Sequence, residues 1–176
     1  MVKIRQAYPG DLNKIYALYK KVASQTTGLA RTGDEITEQY IHDVMKNSSE
    51  SGIELVIDDP ENSNEIIAEI HCHKLAPKVF DHVLSELTIA VDPDHQRKGL
   101  GRMIFKHLLD LIVNNRPDIL RVELISRETN LKAISFYKSL GFIQEGKFEK
   151  RISYTENEFE ADIPMAWFNP NFAKQS

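Results

Sequence analysis

The sequence predicts an α+β protein: a central mixed β-sheet of about seven strands flanked by four helices, which a looser naming would call an α/β mixed sheet. Apolar residues recur at helical spacing in four stretches and at strand-like spacing in seven. The strand-like stretches are joined both by turn-rich hairpin connections and by whole helices. One of them, residues 82–91, ends almost wholly apolar, as a strand covered on both faces does.

Val2-Lys-Ile-Arg alternates apolar and polar side chains and then meets Pro9-Gly10, a short strand ended by a turn. Asp11 is placed to cap a helix in which Leu12, Ile15, Tyr16, Tyr19 and Val22 follow at helical spacing through Ser24. A polar loop, residues 25–33, leads to a second amphipathic helix from Asp34, with Ile36, Tyr40, Ile41, Val44 and Met45 on one face. That helix is expected to dissolve into the Asn/Ser-rich residues 46–52. Residues 53–59 and 65–75 read as a hairpin around PENSN, and residues 82–91 as a third strand whose apolar second half should be buried. Leu100, Met103, Ile104, Leu108, Leu111 and Ile112 define a long helix ending at Asn114-Asn115, with Pro117 preventing its resumption. Residues 120–126 form a strand, and residues 130–140 a helix closed by Gly141 at the C′ position. The tail reads as two strands around the polar turn TENE.

At 176 residues, 41% hydrophobic and 27% charged, the chain has the size and composition of one globular domain, residues 1–176, without repeats or a linker. The net charge of −4 argues against a nucleic-acid or anionic-membrane surface, so any phosphate site must be built locally. Cys72 is the single cysteine and can form no intrachain disulfide. With no signal-peptide core in MVKIRQAYPG, a reducing, cytoplasmic setting is expected. The longest apolar run, Leu108 to Val113, contains Asp110 and is too short to span a bilayer.

Between the third strand and the long helix lies DPDHQRKGLG, with Gly99 and Gly101 at the helix start. A helix N-terminus presents unsatisfied N–H groups and a partial positive charge, and a missing Cβ lets an anion approach the backbone. Arg97, Lys98 and Arg102 add positive charge. A Walker loop is excluded because Lys98 precedes Gly99 and Leu100 follows it. A dinucleotide fingerprint is excluded because its third glycine position is Ile104.

What remains, Gln96-Arg-Lys-Gly99-Leu-Gly101 after an IAVDP strand end, resembles the acetyl-CoA pyrophosphate loop of the GNAT superfamily of N-acetyltransferases, especially its ribosomal-protein alanine acetyltransferase type. Residues 130–142, NLKAISFYKSLGF, are similar to that family's Asn-x-x-Ala-x-x-x-Tyr-x-x-x-Gly-Phe segment. The resemblance implies that the backbone of Ile89 and Val91, with Ala90 between them, holds the acetyl carbonyl and pantetheine amides. It implies further that Gln96, Arg97, Lys98, Gly99, Leu100, Gly101 and Arg102 hold the pyrophosphate, that Asn130 contacts the pantetheine arm, and that Tyr137 reprotonates the departing thiolate. Acetyl-CoA is then the cosubstrate and no metal is required. Relatives that dimerise through their last strands make a homodimer an expectation of the same kind.

The chemistry agrees with such a role for Tyr137, since a hydroxyl with a reference pKa of about 10 stays protonated at neutral pH. Leu131, Ile134, Tyr137 and Leu140 also share helical spacing, so packing alone would place a tyrosine there. The general base stays open. Glu86 lies in the third strand, but the family's catalytic position aligns with Ser85, and only a β-bulge would restore Glu86 to that face. Glu123 lies in the next strand, where the aligned residue is Ile125, one pleat away on the same face. A water chain would suffice for an α-amine. His71 and His73, beside Cys72, lack a third ligand at a recognisable spacing and read as strand residues, while DPDH reads as a turn.

The resemblance implies an acetyl-CoA-dependent N-acetyltransferase in which a primary amine, a small cationic amine or a peptide N-terminus, attacks the thioester directly. The competing expectation is a catalytically silent acyl-CoA-binding or regulatory module on the same fold. Asp34, Glu35, Glu38, Glu145, Glu149, Glu156, Glu158, Glu160 and Asp162 form an acidic excess that favours a cationic acceptor.

Overall fold

The structure, a computed structural model, describes residues 2–25, 29, 31–155 and 157–173. Parts of the 25–33 loop, and Glu156 in the last turn, therefore lie outside the described residues. The strands are β1 (Ile4–Gln6), β2 (Ile53–Asp58), β3 (Ile66–Lys74), β4 (Val83–Val91), β5 (Arg121–Arg127), β6 (Ile143–Gln144), β7 (Phe148–Thr155) and β8 (Glu158–Phe168). The α-helices are α1 (Leu12–Gln25), α2 (Glu38–Ser51), α3 (Leu100–Asn115) and α4 (Leu131–Ser139). Strands pair in the order β1-β2-β3-β4-β5-β8-β6, with β7 on β8, an eight-stranded mixed sheet. The pairs β1–β2, β2–β3, β5–β8, β6–β8 and β7–β8 are antiparallel, and β4–β5 is parallel. No helix among the described residues is long and apolar enough to cross a membrane.

The chain forms two compact units. One comprises Met1–Lys74 and Thr88–Leu111, the other Leu75–Leu87 and Ile112–Ser176. In the first, Ile15, Leu18, Tyr19 and Val22 lie three to four residues apart on α1 and bury one stripe. They form a core with Ile36, Ile41, Met45, Val56 and Ile66. In the second, Val122, Leu124 and Ser126 alternate inward along β5, leaving Arg121, Glu123, Ile125 and Arg127 on the opposite face.

Four expectations about elements change. Asp11 is not a simple helix cap: a 3-10 turn, Pro9–Asp11, runs directly into α1, and the buried Asp11 carboxylate accepts from Tyr8 N and from Arg5. Helix α2 starts later, at the Thr37 cap, and continues through residues 46–51. Ser48 extends the buried stripe of Ile41, Val44 and Met45, while Ser49 and Ser51 donate to the Lys46 and Asn47 carbonyls instead of breaking the helix. In β4 the first residues, Val83, Leu84 and Ser85, are buried, whereas Leu87, Thr88 and Ile89 are half-buried. Strand β6 is added. Its two residues pair with Ala166 and Met165, too short a run to leave a periodic signal.

Candidate active site

Residues 92–101, the segment expected to hold an anion, lie in the first unit after the strand end of β4, as a 3-10 turn and the start of α3. Asp92 Oδ1 accepts from Asp94 N at 2.9 Å and caps the 3-10 turn Pro93–His95, and Lys21 Nζ lies 2.8 Å from Asp92 and 2.7 Å from Asp94. The turn is thereby pinned to α1. Gln96, Arg97, Lys98 and Gly99 are exposed, and Gly99 has φ +80°, a left-handed conformation that glycine adopts without penalty. A Cβ at Gly99 would meet nothing within 4 Å, so open space faces this backbone.

The first helical bond of α3 is Met103 N to Gly99 O, 3.0 Å. The N–H groups of Leu100 and Gly101 precede it in the first turn, where a helix offers no acceptor of its own. Because the Leu100 side chain is buried, its contribution to a ligand is restricted to the backbone. Gly101 differs from Gly99: a Cβ there would touch Val91 Cγ2 at 3.6 Å and Ile89 Cδ1 at 3.8 Å. Its small size lets α3 start close to the strand end formed by Ile89, Ala90 and Val91.

The second unit carries the remaining candidates. Asn130 caps α4, its Oδ1 accepting from Ala133 N at 3.2 Å, which leaves its amide NH2 as the group with donors to offer. Seven residues on, Tyr137 packs against Phe136 and Phe142, with ring centroids 5.6 and 6.1 Å away. Burial pushes the Tyr137 hydroxyl above its ordinary value, so it holds its proton at neutral pH. Leu131, expected on the same packed stripe, is 72% exposed, so the stripe begins at Ile134.

Ser85 is buried and Glu86 is exposed with φ +55°, unusual for a residue inside a strand. The positive φ marks a local irregularity of the β4 backbone at Glu86.

On β5, Glu123 Oε2 accepts from Arg121 Nε at 2.7 Å, and both Arg121 terminal nitrogens donate to the Glu145 carboxylate. Arg121 holds Glu145 below the ordinary carboxylate range. A cavity of about 280 Å3 is lined by Arg121, Glu123, Ile125, Glu145, Phe148 and Pro164. It therefore combines two carboxylates, one guanidinium and an apolar wall. Arg121 was missed in the sequence, although the Arg-x-Glu spacing on a strand already puts both side chains on one face.

Much of the acidic excess has local partners. Glu160 is buried and accepts from Thr129 N at 2.7 Å, Asp34 and Glu35 accept from Thr32, Glu149 lies 3.2 Å from Lys147 and Asp162 lies 3.5 Å from Arg151. Glu38 and Glu158 are exposed.

His71 is not a metal ligand candidate. Its Nδ1 lies 2.9 Å from Glu69 Oε1, and Tyr19 donates to Glu69 Oε2 at 2.6 Å, all three residues being buried. Among the described residues no group of three His, Cys, Asp or Glu side chains could hold a metal ion.

The model of the Acetyltransferase (GNAT) family matches residues 14–142. Over 87 residues the chain is 49% identical to the ribosomal protein bS18 alanine N-acetyltransferase of Salmonella typhimurium, covering 48% of this chain and 57% of that protein. The match thus spans little more than half the length of that relative. The GNAT-family acetyltransferase of Streptococcus pneumoniae superposes with a TM-score of 0.80 at 21% identity, covering 96% of this chain and 99% of the other. The ribosomal-protein-alanine N-acetyltransferase of Brucella melitensis gives 0.77 at 17% identity, over 94% and 99%. A phosphinothricin acetyltransferase from Sinorhizobium meliloti, in complex with acetyl-CoA, gives 0.76 at 13% identity, over 99% and 92%. At these identities the structural matches establish the fold.

Proposed function

The chain belongs to the GNAT acetyltransferase family, and from that membership we propose that it moves an acetyl group from acetyl-CoA to a primary amine, with the α-amino group of a peptide N-terminus as the favoured acceptor. The observation that carries this reading is the strand-turn-helix at residues 91–101, where Gly99 at φ +80° leaves open space before the first N–H groups of α3. Such a cradle suits a pyrophosphate, with Arg97, Lys98 and Arg102 supplying charge. The family resemblance assigns the pantetheine arm to the backbone of Ile89, Ala90 and Val91 in the first unit and to the Asn130 amide NH2 in the second. Residues 1–176 act in this reading as one catalytic domain in the cytoplasm.

Acetyl transfer needs a neutral amine, a polarised carbonyl and a proton for the leaving thiolate. Tyr137 supplies the proton, because burial keeps its hydroxyl protonated. Glu86, exposed at the positive-φ position of β4, is assigned as the base in this reading, and Glu123, which accepts from Arg121, as a group on the acceptor side. Glu123 then acts with Arg121 and Glu145 in holding the ammonium form of the acceptor before deprotonation. An α-amino group, with a pKa near about 8, loses its proton easily at neutral pH, whereas a lysine-type amine at about 10.4 demands ~3 units, or about 4 kcal/mol. The lower cost of deprotonation and the relatives named as alanine N-acetyltransferases both favour the α-amine.

The test is release of CoA thiol with a panel containing an alanine-initiated peptide, small diamines, an amino sugar and an acidic amino acid, at two salt concentrations. Turnover is expected to be fastest with the peptide and to fall at high salt. Preferred turnover of the anionic acceptor would overturn the acceptor assignment. Tight acetyl-CoA binding with no release across the panel would instead identify a silent acyl-CoA-binding module.

A further inference from the structure

A second cavity lies wholly within the first unit and shares no lining residue with the one on β5. Its volume is about 260 Å3, and Ala7, Pro9, Leu12 and Met45 give it an apolar wall. Two of its lining residues are buried polar ones with an unpartnered atom: Glu54 Oε1, on a residue 5% exposed, and Ser48 Oγ, on a residue 2% exposed. A buried carboxyl without a partner is destabilising, and packing does not explain its presence.

The neighbours explain why Glu54 is left over. It sits opposite His71 in the β2–β3 register, but His71 and Tyr19 both bond Glu69. Arg5, the nearest guanidinium on β1, is divided between Asp11 and Asp58. Glu54 on β2 and His42 and Lys46 on α2 line the cavity; behind Glu54, Glu69 on β3, bonded to His71 and Tyr19, and Asp11, paired with Arg5, act on its carboxyl. Carboxylates dominate the buried part. An entering cation would offset them, and an ammonium offers donors for both orphan oxygens while an alkyl arm suits the wall.

We propose that this cavity binds a small primary alkylammonium ion, which donates to Glu54 Oε1 and Ser48 Oγ and lays its alkyl arm against Leu12 and Met45. Burial, Glu69 and Asp11 push the free Glu54 carboxyl up to about 9. Near neutral pH it is therefore protonated, and binding of the ammonium releases that proton to solvent, leaving an ammonium-carboxylate pair. The site is separate from the proposed acetyl acceptor site, and the test distinguishes the two.

n-Butylammonium is titrated by calorimetry, in two buffers of different ionisation enthalpy, into wild type and Glu54→Gln, with butan-1-ol and butyrate as uncharged and anionic isosteres. NMR follows the amides of residues 42–54 and 121–127. Expected are millimolar binding of butylammonium with release of about one proton, shifts at residues 42–54, and a loss of about tenfold or more in Glu54→Gln, as for a lost hydrogen bond to a charged group. If Glu54→Gln does not fold, Ser48→Ala replaces it, with a loss of about threefold or more expected. The proposal is overturned by no butylammonium binding, by equal affinity in the folded variant, by butan-1-ol or butyrate binding as well as the ammonium, or by shifts confined to residues 121–127. In that last case the amine occupies the β5 cavity, and the acetyltransferase reading stands unaffected.

Discussion

Arg121 Nε donates to Glu123 Oε2 across 2.7 Å, and its two remaining nitrogens close a second pair with Glu145. One guanidinium thus sets the positions of both carboxylates that line the β5 cavity. Arg121→Gln releases both. The expected result is a fall of about tenfold in kcat/KM for the amine with the KM for acetyl-CoA within about twofold, the pattern of a lost acceptor-side interaction. Steady-state kinetics with each substrate varied in turn decides it. An unchanged kcat/KM for the amine would make the cluster structural.

Tyr137→Phe deletes only a hydroxyl from a side chain packed between Phe136 and Phe142. Acetyl-CoA binding and thermal stability should be retained while turnover falls by about 10² to 10⁴, the usual worth of general acid catalysis. The pH profile should lose its alkaline limb. Single-turnover rates within about twofold of wild type would leave Tyr137 as a packing residue.

The base assignment separates on paired variants. Glu86→Gln is expected to lower kcat at neutral pH by about 10² or more and to recover activity as pH rises and the amine deprotonates unaided. Glu123→Gln, already engaged by Arg121, should mainly raise the KM for the amine. The reverse pattern in the two pH profiles would transfer the base role to Glu123.

At Gly99 two substitutions isolate charge from strain. Both Gly99→Ala and Gly99→Glu force an L-residue to φ +80°, costing about 1 to 2 kcal/mol of stability. Only the glutamate brings negative charge to the start of α3. Calorimetry should show modest weakening of acetyl-CoA binding in Gly99→Ala and a further loss of about tenfold or more in Gly99→Glu. Equal affinities of a folded Gly99→Glu and wild type would remove the pyrophosphate from this loop.

Glu54 predicts a pH dependence of stability. Its folded carboxyl is raised from 4.5 to about 9 by burial first and by Glu69 and Asp11 second. Between those values the folded chain holds a proton that the unfolded chain has released. Stability from this group is therefore complete below the unfolded value and is lost as pH rises toward the folded one. Urea denaturation from pH 5 to 9 should show wild type losing stability and Glu54→Gln losing less, so that the variant is the more stable at pH 8 by about 1 kcal/mol or more. Parallel curves would show that Glu54 is solvated in solution.

Periodicity and spacing determined the element order apart from β6, the four helices and the two candidate segments at residues 96–101 and 130–142, because each depends on residues within a turn or two of one another. Helical stripes such as Ile15, Leu18, Tyr19 and Val22, the capping Asn130 and the left-handed Gly99 are local properties of the chain. What local chemistry left ambiguous was misjudged. The serines after Met45 looked like a breaker because their hydroxyls compete with the helix for backbone groups, yet here they bond its own carbonyls.

Tertiary structure alone decided which distant partners each polar group received. Glu123 and Glu145 meet through Arg121, Glu160 turns inward to Thr129, and Glu54 is left without a partner because His71 and Tyr19 are both taken by Glu69. The conformation of Glu86 belongs with these, since nothing in its neighbouring residues demands φ +55°. Sequence records the number and sign of such charges. Their pairing depends on which side chains strand register and helix packing bring within about 3 Å, where a hydrogen bond between charged groups is strong enough to select one partner over another.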